Sequence, residues 1–219
     1  VIAFVVPRKQ REAGQAVPIY ITVVASLLFL ALAYFVVGQA SASRNGAQSA
    51  ADAAALAAAQ DARDQLRRGL LASVLNPRNW SDLLNGKGFG TYGACQEAQR
   101  FAARNESDVT PGGCRRLADG RLGFTVKVKT QEPLGETVVP GTEDIHMTAE
   151  ATAVIEPRCT FRPDEEKPED GEDPDNGGGN DKPVFPGKLT CDGRDRFIDP
   201  ENLDFFPDAA DLFTVRLSG

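Results

Sequence analysis

The chain has 219 residues, 42% hydrophobic and 25% charged, with a formal net charge of −7; this balance excludes wholesale disorder and allows one or two small domains. Between Pro163 and Pro183 nine acids stand against Lys167 and Lys182, which accounts for the whole net charge and leaves no basic surface suggesting nucleic acid. With one His, one Met and one Trp, the chain also offers little material for catalysis.

The first element is a membrane span. No charged residue lies between Glu12 and Arg44, and Ala16–Val37 is an apolar run of 22 residues broken only by Pro18, Tyr20, Thr22, Ser26 and Tyr34. About 20 such residues cross a bilayer core, so a transmembrane helix is predicted over 16–38. Arg8, Lys9 and Arg11 precede it and only Arg44 follows closely, so the positive-inside rule places 1–15 in the cytoplasm and the rest outside. A cleaved signal peptide shares the basic start and has a candidate site at Ala40-Ser41-Ala42, but its apolar part usually holds about 7–15 residues, so a retained anchor is expected. The apolar run Val1–Val6 is too short to span.

The second element, 39–76, is an alanine-rich extracytoplasmic helix. Ten of the sixteen residues in Ala47–Ala62 are alanine, the best helix former. Gly46, Ala50, Ala54, Ala58 and Ala62 form a ladder at i+4 spacing, with Ala47, Ala51, Ala55 and Ala59 beside it. Such a face admits another helix at close range, either from a partner or from the chain's own domain folding back. Asn76-Pro77 ends the run, because the residue before proline is pushed out of the helical region. If the span continues into it, one rod reaches from Pro18 to Leu75.

These residues carry a family resemblance. Gly14-Gln15-Ala16 leading into the apolar helix, then Arg44-Asn45-Gly46-Ala47-Gln48-Ser49-Ala50-Ala51-Asp52-Ala53-Ala54-Ala55-Leu56-Ala57, resembles the N-terminal module of the Tad (tight adherence, Flp pilus) TadE/TadG-like proteins, above all the actinobacterial type. The resemblance covers about residues 13–62. It implies a pseudopilin-like minor subunit or assembly factor, with the membrane, other pilus or pseudopilin subunits and the Tad assembly platform as partners. Prepilin peptidase substrates of that family usually carry Glu five residues beyond the cleavage glycine. Ile19 stands there, so an unprocessed, TadG-like anchor is expected.

Residues 77–219 read as an extracytoplasmic α+β domain, a small disulfide-stabilised antiparallel sheet on the end of the long helix, pilin-like overall. Cys95 and Cys114 bracket a short helical pattern and a Thr110-Pro111-Gly112-Gly113 turn, while Cys159 and Cys191 bracket the acidic segment. Four cysteines allow three pairings, of which the sequential one is expected because each pair flanks one irregular loop. A four-cysteine zinc site is the alternative, but no Cys-x-x-Cys pair exists. Leu122, Phe124, Val126 and Val128 alternate with polar residues in one strand, and Ile145 to Ile155 alternate in a second; Pro133–Asp144 returns the chain antiparallel. Phe213, Val215 and Leu217 mark a third strand, and Trp80, Phe89 and Phe101 are core candidates. The acidic loop, 163–183, lacks large apolar residues and is expected to be solvated. Its Asp173, Asp175 and Asp181 are hard oxygen ligands, yet the spacing is not that of a calcium-binding EF-hand.

No catalytic set emerges. Gly88-Phe-Gly90-Thr-Tyr-Gly93 matches GxGxxG literally but follows no strand, and His146 is a lone surface histidine on a strand's polar face. No catalytic, cofactor-binding or metal residue is therefore assigned. A structural role in a Tad-type pilus leads, acting by helix packing through Gly46, Ala50, Ala54, Ala58 and Ala62; a membrane-anchored module that binds a ligand or cation is the alternative.

Overall fold

The computed structural model describes residues 16–87, 92–133, 144–163 and 187–218. One helix, α1 (Ala16–Ala72), runs unbroken through 57 residues, about 86 Å at 1.5 Å per residue. Its continuity follows from composition: the apolar run passes directly into the alanine run, and Pro18 lies in the first turn, where its missing N–H breaks no helical bond. The helix stops before Leu75 because its end tightens, with Ser73 N–H donating to Leu70 O and Val74 N–H to Leu71 O. A 3₁₀ turn (Pro77–Asn79) and a short helix, α2 (Trp80–Leu84), follow.

Beyond α3 (Tyr92–Arg104) the chain is mostly β: β1 (Ser107–Arg116), β2 (Leu122–Thr130), β3 (Thr148–Pro157), β4 (Cys159–Pro163), β5 (Gly187–Cys191) and β6 (Arg194–Arg196), then α4 (Ala209–Leu212) and β7 (Phe213–Leu217). The architecture is α+β, with two antiparallel sheets where the sequence suggested one: β1-β2-β3-β7 and β4-β5-β6. The alternation that marked β2 puts Leu122, Phe124, Val126 and Val128 in the core, opposite Ala149, Ala151, Ala153 and Ile155 of β3. Ile145 and Met147 fall just before β3. Phe213 and Val215 of β7 complete this face.

The expected turn at Thr110–Gly113 is instead a bulge inside β1. Val109 faces Val128 and Cys114 faces Val126, so a five-residue step on β1 spans a two-residue step on β2. An edge strand tolerates Pro111 there. Gly113 is required: a Cβ on it would stand 2.4 Å from Thr110 Oγ1 and 2.7 Å from the Lys127 carbonyl.

The four-stranded sheet lies along the alanine stretch of α1 rather than on its end, and α3 packs against the same helix. Between 50 and 62 only Gln60 is exposed, so this part of α1 is enclosed. Trp80 is wholly buried, donates from Nε1 to Ser73 Oγ at 3.0 Å, and packs edge-on against Phe206 with centroids 5.9 Å apart. Phe161 of β4 meets the same indole at 5.4 Å, which seats the three-stranded sheet. Phe101 is only half-buried, flanked by the guanidinium groups of Arg100 and Arg104, and Phe89 lies outside the described residues.

Candidate functional site: a membrane anchor continued as a core helix

Among the described residues nothing packs on the first part of α1. Val17, Ile19, Leu27, Leu28, Phe29 and Phe35 are all exposed, Phe29 at 72%. In water such a surface is untenable for a soluble domain. It is a charge-free helix long and apolar enough to cross a bilayer, a setting in which a helix keeps its backbone groups bonded within itself.

Further along, the same helix becomes the centre of the domain. Ala50, Ala54, Ala58 and Ala62 are each 0% exposed, as are Ala47, Ala51, Ala55 and Ala59 alongside. Gly46, the first rung, is exposed, and nothing lies within 4 Å of where its Cβ would be. The faces that fill the ladder belong to this chain. On α3, Ala94, Ala98 and Ala102 form a second i+4 ladder, all wholly buried in the same cluster; its spacing was readable but it is short and interleaved with charge. Gly93 shows how close the helices come: a Cβ there would stand 3.0 Å from Asp61 Oδ2 of α1. This glycine, last in the literal GxGxxG, sits inside a helix and serves packing; Gly88 and Gly90 lie outside the described residues.

The four cysteines pair sequentially. Cys95–Cys114 ties α3 to β1, and Cys159–Cys191 ties β4 to β5. The second pair faces directly across the ladder with Cα atoms 4.0 Å apart. Asp192 N–H donates to Arg158 O beside it, which makes the cysteines a non-hydrogen-bonded pair, the position where strands approach most closely. Arg158 also joins this sheet to the C-terminal segment, its N–H donating to Leu212 O and its Nη1 to Ala210 O.

Ion pairs decorate the outer surface. A hydrogen bond from Arg216 holds the Glu156 carboxyl below its usual range, and one from Lys188 does the same for Asp195. Arg121 lowers Asp119 likewise, and Asp192 raises Arg158. His146 precedes β3 and is half-buried, its Nδ1 2.7 Å from Thr130 O. Among the described residues no group of three or more His, Cys, Asp or Glu could hold a metal ion. Asp173, Asp175 and Asp181 lie outside them.

These features define a membrane-anchored α+β protein whose single long helix is both span and core. Residues 14–61 match the Tad family model, described as "Putative Flp pilus-assembly TadE/G-like". The match covers the span and most of the alanine stretch, under a quarter of the chain, and stops before the β domain. No curated protein and no solved structure matches the chain. A TadE/G-like segment on a membrane-length helix points to a membrane protein associated with Tad pili.

Proposed function

We propose that the chain is a single-pass anchor and assembly factor, or minor subunit, of a Tad-type pilus, with its N-terminus in the cytoplasm and the β domain outside. The observation that carries this reading is the coincidence of the family match with the part of α1 that leaves the bilayer and enters the domain. The basic cluster Arg8, Lys9 and Arg11 supports the orientation. Contacts with pilus subunits and the assembly platform are assigned to the exposed span, where helices associate by packing in lipid. The Gly46–Ala62 ladder serves the chain's own domain, since its buried rungs are filled from within.

A reporter fused at the C-terminus of the full chain tests orientation, and deletion of the coding sequence tests the pilus role. Reporter activity outside the cytoplasm and loss of surface pili are expected. A C-terminus recovered only in the cytoplasm, or normal pili in the deletion strain, overturns the reading.

A further inference from the structure

Among the described residues beyond the apolar run of α1, Phe197 and Phe205 are the most exposed large apolar side chains, at 87% and 78%. Phe197 follows β6 and Phe205 closes a 3₁₀ turn (Leu203–Phe205), yet both line one cavity of about 400 Å³ beside Arg67 of α1. A single exposed phenylalanine needs no explanation, but two sharing one cavity mark a contact surface. Each is followed by a buried residue, Ile198 and Phe206, the latter against Trp80. The backbone between them is held: Asn202 N–H donates to Asp199 O at 3.2 Å, Phe206 N–H to Leu203 O at 3.0 Å, and Arg67 Nε to Pro207 O at 2.9 Å. A partner would therefore meet the rings without first ordering their support.

The surroundings are acidic. From Ile198 to Leu212 the chain carries Asp199, Glu201, Asp204, Asp208 and Asp211 and no lysine or arginine. Ion pairs already engage two of the cavity's aspartates, Asp208 with Arg67 and Asp195 with Lys188. Asp204 makes no ion pair among the described residues, and Arg196 is the one further base in the lining.

The chain itself displays what such a surface takes up. The Arg67 guanidinium lies 5.7 Å from the centroid of Phe206, with Nη2 3.7 Å from Asp208 Oδ1, a cation set against both a ring and a carboxylate. Phe205, next to Asp204, offers the same combination with no guanidinium over its ring among the described residues. Arginine suits it better than lysine, because its planar, weakly hydrated group stacks on aromatic faces. Phe197 adds apolar area for an aliphatic neighbour of that arginine. Lipid is a poor occupant: Arg67 lies thirty residues past Val37, about 45 Å along α1, well beyond the polar layer of a bilayer. We propose that Phe197, Phe205 and Asp204 form a docking surface for a polypeptide segment that carries arginine next to an aliphatic residue. The surface stands apart from the pilus reading and does not rest on it.

The full chain is placed in phosphatidylcholine nanodiscs and titrated against a fluorescent hexapeptide, Gly-Arg-Leu-Gly-Arg-Gly, with empty discs as the baseline and anisotropy as the readout. Two further peptides replace arginine by glutamate or leucine by serine. Wild type should bind the first peptide and bind the other two more weakly. The double variant Phe197→Ser with Phe205→Ser should lose about tenfold in affinity, the scale of aromatic contacts with a cation at exposed sites. Asp204→Asn should lose several-fold. Both variants should keep the wild-type melting temperature and Trp80 emission, since the altered side chains are exposed. The nine acids between Pro163 and Pro183 are unchanged in every variant, so binding that survives the double Phe variant is general attraction to acid and overturns the surface. No binding by wild type, or equal binding of the glutamate or serine peptide, overturns it too. A lowered melting temperature in the double variant would show the rings packed on the chain and would also overturn it. Self-association of wild type that the double variant lacks, seen by sedimentation, overturns the separate partner in favour of a second copy.

Discussion

Gly46 and Ala54 stand on one stripe of α1, yet Gly46 faces open space while Ala54 is enclosed on all sides. Opposite outcomes follow for added bulk. Gly46→Ala should stabilise the domain by about 0.5–1 kcal/mol, because alanine loses less backbone entropy in a helix and meets nothing there. Ala54→Leu or Ala58→Leu should destabilise by about 1–3 kcal/mol through overpacking. Thermal unfolding of the full chain in detergent, followed by circular dichroism, checks all three. An Ala54→Leu protein of unchanged stability that no longer supports pili would return the ladder to a partner.

Removing the disulfides one at a time should rank them by the loop each closes. The sequence separations are 19 for Cys95–Cys114 and 32 for Cys159–Cys191. In the chain-entropy model both losses cost about 3–4 kcal/mol, with the longer loop costing more. Paired Cys→Ser variants measured by denaturant unfolding supply the comparison. A far smaller loss for the second pair would show that the Arg158 contacts and the Trp80 cluster hold the three-stranded sheet without it.

Trp80 joins α1, the three-stranded sheet and Phe206 in one cluster, and it is the chain's sole tryptophan. Its emission should be blue-shifted in the folded protein and move to the red when the domain opens. Trp80→Ala should cost about 3–5 kcal/mol by leaving a cavity, and Ser73→Ala about 1 kcal/mol by removing the hydroxyl to which the indole N–H donates. Unfolding midpoints of the two variants check the order, which a solvated Trp80 would not produce.

Acid should weaken the outer surface. Glu156, Asp195 and Asp119 have lowered folded-state pKa values because Arg216, Lys188 and Arg121 hydrogen-bond their charged forms. Their contribution is complete above the ordinary carboxylate range and is lost as pH falls through the lowered folded values. The pairs are exposed, so the effect is modest and salt-sensitive. The difference in melting temperature between wild type and the triple variant Asp119→Asn, Glu156→Gln, Asp195→Asn should shrink as pH is lowered. A constant difference from neutral pH to the acid limit would contradict the assignment.

The sequence disclosed the parts whose pattern is set by one dominant force. A charge-free apolar run has few fates other than a membrane, and the two-residue alternation in β2, β3 and β7 follows from one face being buried. It concealed β1, because Thr110-Pro111-Gly112-Gly113 has the composition of a turn whether the chain reverses there or loops out of an edge strand. The strands β4–β6 are three to five residues long and rich in Arg, Lys and Thr, too short for a period to emerge. The alanine ladder announced a close helix contact without its partner, since Ala54 carries the same message for a neighbouring subunit as for α3.

The unbroken passage of α1 from lipid into the domain makes the protein a lever. From Val37 to Ala72 the helix carries its load about 52 Å past the span. A change of about 10° in tilt, within the range transmembrane helices adopt as bilayer thickness varies, would sweep the far end through roughly 9 Å. Exposed Phe197 and Phe205 ride near that end, close to Arg67 of α1. Bilayer mechanics and the reach of the domain are thereby one coordinate: whatever sets the angle of the apolar segment aims the exposed Phe197 and Phe205.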